Sequence, residues 1–296
     1  MIITLQHAGK AKICLAGTGF ATIDWGDGAT IETHEMAVWA EDAAGLNYMY
    51  SHVYSANAVY TITITGNNIT MLICHGLGLM SIDVSRNTAI TELVCFNNRL
   101  TSLDVSQNTA LTGLRCGNNL LTSLDISRNT ALKTLNCMDN QLTELDLKQN
   151  TALTSLSCSY NQLSILDINA NTSLTELRCE SNCLTALDLR KNKVLAEINC
   201  SNNQLTVLDL NNNTVLAWLD CHDNQITNLD ASLNIALSAL NCRHNQLSTI
   251  ALNYLFGTLH GNAFDGEKVV FIQDNPGTKT CDSRIAWNRG WNVNIL

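Results

Sequence analysis

The sequence predicts a solenoid of stacked coils, and three periodic series of residues predict it. One cysteine returns every 21 residues, at Cys74, Cys95, Cys116, Cys137, Cys158, Cys179, Cys200, Cys221 and Cys242. An Asn stands three places after each of these from Asn98 to Asn245, and a second Asn thirteen places after, from Asn87 to Asn234. An Asp stands nine places after, from Asp83 to Asp230. A fixed period over many units marks a structural unit that cannot bury its own apolar face and does so by stacking on the next copy.

Each coil of residues 69–250 holds two half-units, LTxLxCxxNQ and LTxLDxSxNTA, as in Leu153–Asn171. The pattern LxxLxL/CxxNxL resembles the leucine-rich repeat. Its nested form is similar to the 21-residue bacterial class known as IRREKO. Nine such coils are expected, with a parallel sheet on the concave side. Twenty-one residues leave no room for a full helix, so the convex side should be extended segments and tight turns. The fold class is therefore a leucine-rich-repeat solenoid, mostly β, with a cap at each end.

Within the coil, each constant position has a physical task. Cys occupies a place where such repeats carry Leu, so it is expected as a small buried hydrophobe. A metal ladder would need clustered ligands such as CxxC, which do not occur. Cys14, Cys183 and Cys281 lie off the ladder, and no pairing follows from their spacing. The two Asn series should satisfy backbone groups left unpaired between coils. The Asp series should cap turns. Its alternative, a calcium ladder, needs the glycines of GGxGxDx motifs, which are missing.

Residues 1–68 precede the coils. Ile2–Gln6, Lys12–Ala16, Ala21–Trp25 and Tyr60–Thr65 read as strands, the last alternating strictly. Asp24-Trp25-Gly26-Asp27-Gly28 is a turn signal, with Asp-Gly suited to a tight hairpin. These strands suggest a β-sandwich that covers the first coil. DWGDG followed by His52-Val53-Tyr54 and YTITITG resembles the PKD-type immunoglobulin-like domain. Asp24 and Asp27 could ligate calcium, but turn geometry explains both.

Residues 251–296 break the pattern with Ala251 where Asp is due. Asn253–His260 reads as a helix carrying Leu255, Phe256 and Leu259 on one face. Val269–Ile272 reads as a strand and Asn275-Pro276-Gly277 as a turn. Asp282 can cap a short helix through Asn288, and Trp291–Ile295 can close as a strand. This is an α/β C-terminal cap. Its NPG…CD…IA…RGW ending resembles the tail of Bacteroidetes-type leucine-rich-repeat surface proteins. That resemblance implies an extracellular or cell-surface location, often with a lipid anchor upstream. No signal peptide opens this chain.

The chain of 296 residues has 26 acidic and 17 basic side chains, a net charge of −9. The repeated Asp account for most of that excess. The variable surface is thus close to neutral and lacks the basic face of a nucleic-acid binder. No apolar run of about 18 residues predicts a transmembrane helix.

Positions that vary between coils are free to bind. Side chains three before, one before and one after the inward Cys should point outward on the concave strand, and the residue two after it should lie at the strand's edge. They supply Phe96, Arg115, Met138, Tyr160, Arg178, Trp218, His222 and Arg243, which are aromatic, Met and Arg types that interfaces use. Asp220, His222 and His244 could meet across adjacent strands, but Arg243 beside them opposes a cation. Cys221 points inward while His222 points outward, so the pair cannot form a nucleophile. No cofactor, metal or catalytic set is expected. The expected function is non-enzymatic binding of a protein or glycan through the concave face. A structural spacer or adhesin stalk is the alternative.

Overall fold

A computed structural model describes residues 1–38, 49–263 and 266–295. The chain divides into two compact units, Met1–Ala152 and Leu153–Leu296.

In the first unit, β1 (Ile2–Thr18), β2 (Phe20–Asp24), β3 (Glu32–Glu35) and β4 (Met49–Thr65) form an antiparallel sheet in the order β3-β2-β4-β1. The two strands expected at 2–6 and 12–16 are one strand, irregular between His7 and Gly9, where Gly9 takes φ +85°. The Asp-Gly signal does not make a tight hairpin. Ile23 pairs with Glu32 and β2 ends at Asp24, so residues 25–31 form a longer connection. Its cause is local: Asp24 Oδ1 accepts from Gly26 N and Asp27 Oδ1 from Ala29 N, giving two successive side-chain-closed turns. Trp25 is buried beneath them, and Tyr54 donates its hydroxyl to the Trp25 carbonyl at 2.7 Å.

The next strands are β5 (Asn68–Ile73), β6 (Leu79–Asp83), β7 (Glu92–Val94), β8 (Gly113–Arg115) and β9 (Thr134–Asn136). Both β5 and β6 lie antiparallel to β1, and β5 also starts a parallel ladder with β7, β8 and β9. Leu72, Leu93, Leu114 and Leu135 pair in one row. The constant period puts each residue beside its own counterpart, so register needs no other device.

The second unit repeats this with β10 (Ser155–Ser157), β11 (Glu176–Arg178), β12 (Glu197–Asn199), β13 (Trp218–Asp220) and β14 (Ala239–Asn241). Then come α1 (Thr249–Thr258), β15 (Lys268–Phe271), α2 (Arg284–Trp287) and β16 (Trp291–Asn294), with β15 and β16 extending the parallel ladder. Helix α1 starts four residues before the expected Asn253, because Ser248 caps it by accepting from Ala251 N. Leu255, Phe256 and Leu259 are buried as expected. Asp282 Oδ1 accepts from Arg284 N at the start of α2. Beyond α1 the chain resumes one coil, with Ile272 in the Cys place and Asn275 in the Asn place.

Among the described residues, the coils before α1 contain no helix. Their turns close by short bonds such as Asn108 N to Val105 O and Leu111 N to Asn108 O. The core is aliphatic. Leu, Ile and Val from both half-units are buried, and the nine ladder cysteines are buried completely or nearly so. Burial pushes the thiols of Cys74, Cys137, Cys200 and Cys242 up to about 12. Those of Cys95, Cys116, Cys179 and Cys221 rise well above the ordinary value for the same reason. Among the described residues, no cysteine is joined in a disulfide.

Candidate binding face of the coils

Two ladders hold the coil strands in place. Asn119 donates to the carbonyls of Cys116 and Gly117 in its own coil and of Cys95 in the preceding one, at 3.0–3.2 Å. Its Oδ1 accepts from Leu100 N at 3.0 Å. The same bonds recur at Asn98, Asn140, Asn203, Asn224 and Asn245. The second series works by donation. Asn129 Nδ2 bonds the carbonyls of Val105 and Asn108, while its Oδ1 is buried without a partner. The Asp series caps turns as expected: Asp104 Oδ1 accepts from Ser106 N, Asp125 Oδ1 from Ser127 N and Asp188 Oδ1 from Arg190 N. Those amide bonds help hold Asp104 and Asp125 below the usual carboxylate range.

The strands are three residues long, and their middle Leu or Ile and the following Cys point inward. The residue two after each Cys is not at a strand edge as expected. It has left-handed backbone at every coil from Asn97 to His244, with φ between 50° and 57°. Asn, Asp and His tolerate this conformation, whereas Tyr160 and Ser181 occupy it without that advantage. The repeated Asn or Asp at this place was the sequence signal for it.

In the first unit, Arg115 is exposed, and its side chain makes no hydrogen bond or ion pair among the described residues. Phe96 is half-buried and stacks on His75, with ring centroids 4.6 Å apart and planes 2° apart. Met138 is half-buried and lies over Gly117, where a Cβ would stand 3.0 Å from Met138 Cγ. Val94 and Gly117, expected outward, are buried.

The second unit carries the other candidates. Tyr160 is 52% exposed, and Trp218 is half-buried between Glu197 and Ala239 in its row. Arg178 is exposed, its Nε 2.6 Å from Glu176 Oε1 and a terminal nitrogen 3.9 Å from Glu197 Oε2. The Arg178 hydrogen bond lowers the Glu176 carboxyl. Arg243 is half-buried, with Nε unpartnered among the described residues. Ser159 and Ser201, expected outward, are buried. Sequence reasoning did not single out Glu180 and Glu197. Both vary between coils, which was the signal available.

His222 is the centre of a hydrogen-bonded cluster. Its Nδ1 is 2.5 Å from Asp220 Oδ1, and its Nε2 is 3.3 Å from Asp223 Oδ2. Asp220 is buried and also accepts from Asn241 Nδ2 at 3.0 Å. His244 Nε2 lies 3.2 Å from Asp274 Oδ2. An Asp–His pair is thus present, but the second imidazole nitrogen meets another carboxylate. Ser201 Oγ instead bonds Asn199 Oδ1. Burial keeps the Cys221 thiol protonated, so Cys221 offers no nucleophile. Among the described residues, no group of three or more His, Cys, Asp or Glu side chains is arranged to hold a metal.

Solved structures resemble this fold. The functional domain of InlJ from Listeria monocytogenes, which includes a cysteine ladder, is 31% identical with a TM-score of 0.67. The match covers 82% of this chain and 56% of that one. A leucine-rich-repeat protein of Leptospira interrogans is 20% identical with a TM-score of 0.56, covering 72% of this chain and 62% of that one. The leucine-rich-repeat domain of APL1B is 22% identical with a TM-score of 0.55, covering 68% and 60%. This chain therefore spans less than two thirds of the length of each. No family model matches the chain. No curated protein matches it. Ladder chemistry, parallel register and these neighbours together support a leucine-rich-repeat protein, a mostly β solenoid with few helices. Among the described residues, no helix is long and apolar enough to cross a membrane.

Proposed function

We propose that this chain is a non-enzymatic binding module that recognises a protein or glycan through the strand faces of its coils, at a bacterial cell surface. The observation that carries this reading is the contrast between constant and variable positions. The constant residues are consumed by the coil's own hydrogen bonds. The strand faces instead present Tyr160, Trp218, Phe96 and Met138 with Arg115 and Arg178, which build no coil. Aromatic, Met and Arg side chains without a core to enter are what interfaces use as anchors.

Residues 1–68 serve in this reading as a PKD-like β-sandwich cap. The pairing of β1 with both β5 and β6 supports it, because it covers the edge of the first coil. Residues 251–296 serve as the α/β cap. The likeness to the Listeria domain, with its own cysteine ladder, supports the solenoid part of this reading.

The test is a glycan and protein array probed with the purified chain beside a Trp218→Ala, Tyr160→Ala double variant. A hit that the variant loses supports the strand-face site. A silent wild type, or a variant that binds equally well, overturns it and moves a structural spacer ahead.

A further inference from the structure

The strand face of the second unit carries one sign of charge in excess, and its distribution defines a partner. Glu176 and Glu180 stand on one coil, Glu197 on the next, and Asp220 and Asp223 on the one after, with the single cation Arg243 on the coil beyond. The only guanidinium group among the first three coils' strands, Arg178, is committed to Glu176 at 2.6 Å. It reaches Glu197 only at 3.9 Å, and Glu197 keeps 53% of its side chain in solvent. Glu180 is the more telling residue. It is half-buried, and its Oε2 is shielded from solvent with no hydrogen-bond partner among the described residues. An unpaired carboxylate oxygen is costly to keep from water, and a cation held at the exposed part of the same carboxylate offsets that cost.

Apolar contact lies beside this charge. Trp218 pairs in register with Glu197 on one side and with Ala239 on the other. Ala239 offers only a methyl on that side, and the indole of Trp218 is partly exposed. Tyr160 stands exposed at its left-handed turn. An aromatic face beside carboxylates suits a cation with an aliphatic stem, which can pack on the ring while its head meets the acids.

We propose that this face docks an extended polypeptide segment bearing at least two Lys or Arg side chains, received by Glu180 and Glu197 with Trp218 as the apolar anchor. This rests on the strand-face reading above and names its partner. Charge complementarity excludes the other large ligand classes. Nucleic acids, sulfated or sialylated glycans and anionic membranes would meet like charge, and a neutral glycan leaves the carboxylates unpaired.

The experiment pans a random peptide display library on the full chain. The enriched peptides are then measured by fluorescence anisotropy against wild type, E180Q/E197Q, W218A and E144Q. Glu144 is exposed and off the strand face, so E144Q makes the same type of charge change elsewhere. Enriched peptides should carry net positive charge and bind at least tenfold more weakly to E180Q/E197Q, with E144Q unchanged. Raising NaCl from 0.05 to 0.5 M should weaken binding similarly, since exposed charge pairs are screened. Neutral or acidic enriched peptides, no binder at all, or binders indifferent to E180Q/E197Q would overturn the proposal. Binders lost in W218A yet indifferent to E180Q/E197Q would sink the basic partner and leave the strand-face reading standing. Binders indifferent to all three face substitutions would sink both.

Discussion

Asn119 and Asn129 are the same residue type at equally buried ladder places, yet they carry different loads. Asn119 donates to three carbonyls and accepts from Leu100 N, a buried amide with no other acceptor assigned. Asn129 donates to two carbonyls and leaves its own oxygen unpaired. Truncating Asn119 therefore orphans a buried N–H, whereas truncating Asn129 also removes an orphan. Unsatisfied buried groups cost about 1–3 kcal/mol each. Asn119→Ala should lower the unfolding free energy by about 3 kcal/mol and Asn129→Ala by about half as much, read from urea midpoints at constant m. Equal losses would mean that packing, and not the pattern of bonds, sets the ladder's worth.

At the scale of the element, the turn after each strand is the informative part. A left-handed residue costs about 1–2 kcal/mol unless it is Gly, and Asn or Asp relieve part of that by local hydrogen bonding. Tyr160 sits there at φ 53° where sister coils have Asn97, Asn118 and Asn202. Tyr160→Asn should raise stability by about 0.5–1 kcal/mol while weakening any ligand that uses the ring; Asp223→Asn, already a tolerant pair, should change stability little. A destabilised Tyr160→Asn would show that the ring packs within the fold. This turn also shows what the sequence displays and what it conceals. The Cys, Asn and Asp ladders were legible because one period places each residue against its own copy. The left-handed site was written in the same repeats but read as a strand edge. The start of α1 was missed because the cap, Ser248, lies in the preceding half-unit. The candidate site was legible as residue types. The burial of Val94, Ser159 and Asp220, and the Asp220–His222–Asp223 cluster, depend on local packing that a single repeat does not contain.

The whole chain should respond to alkaline pH through its cysteine ladder. Unfolded thiols ionise near 9.0, whereas folded Cys74, Cys137, Cys200 and Cys242 are pushed up to about 12 by burial, and those of Cys95, Cys116, Cys179 and Cys221 are raised in the same direction. A group whose folded pKa is raised contributes stability that is complete below the unfolded pKa and is lost as pH rises toward the folded one. Each such thiol thus removes about 1.4 kcal/mol per pH unit above 9, until the folded value is reached. Tyr54 is shifted upward as well, also by burial, and adds to the loss at higher pH. The stability of the reduced protein should therefore hold to about pH 8.5 and then fall steeply. Cys200→Ala isolates one rung. Its deleted sulfur costs a roughly constant amount at neutral pH, since a cavity does not titrate. Above pH 9, however, its stability should decline more gently than the parent's, by about 1.4 kcal/mol per pH unit. Urea unfolding of both proteins at half-unit steps from pH 7 to 10.5, in reductant, reads the two slopes. Converging curves would assign the alkaline loss to the buried ladder; parallel curves would refute it and move the responsible groups to the surface.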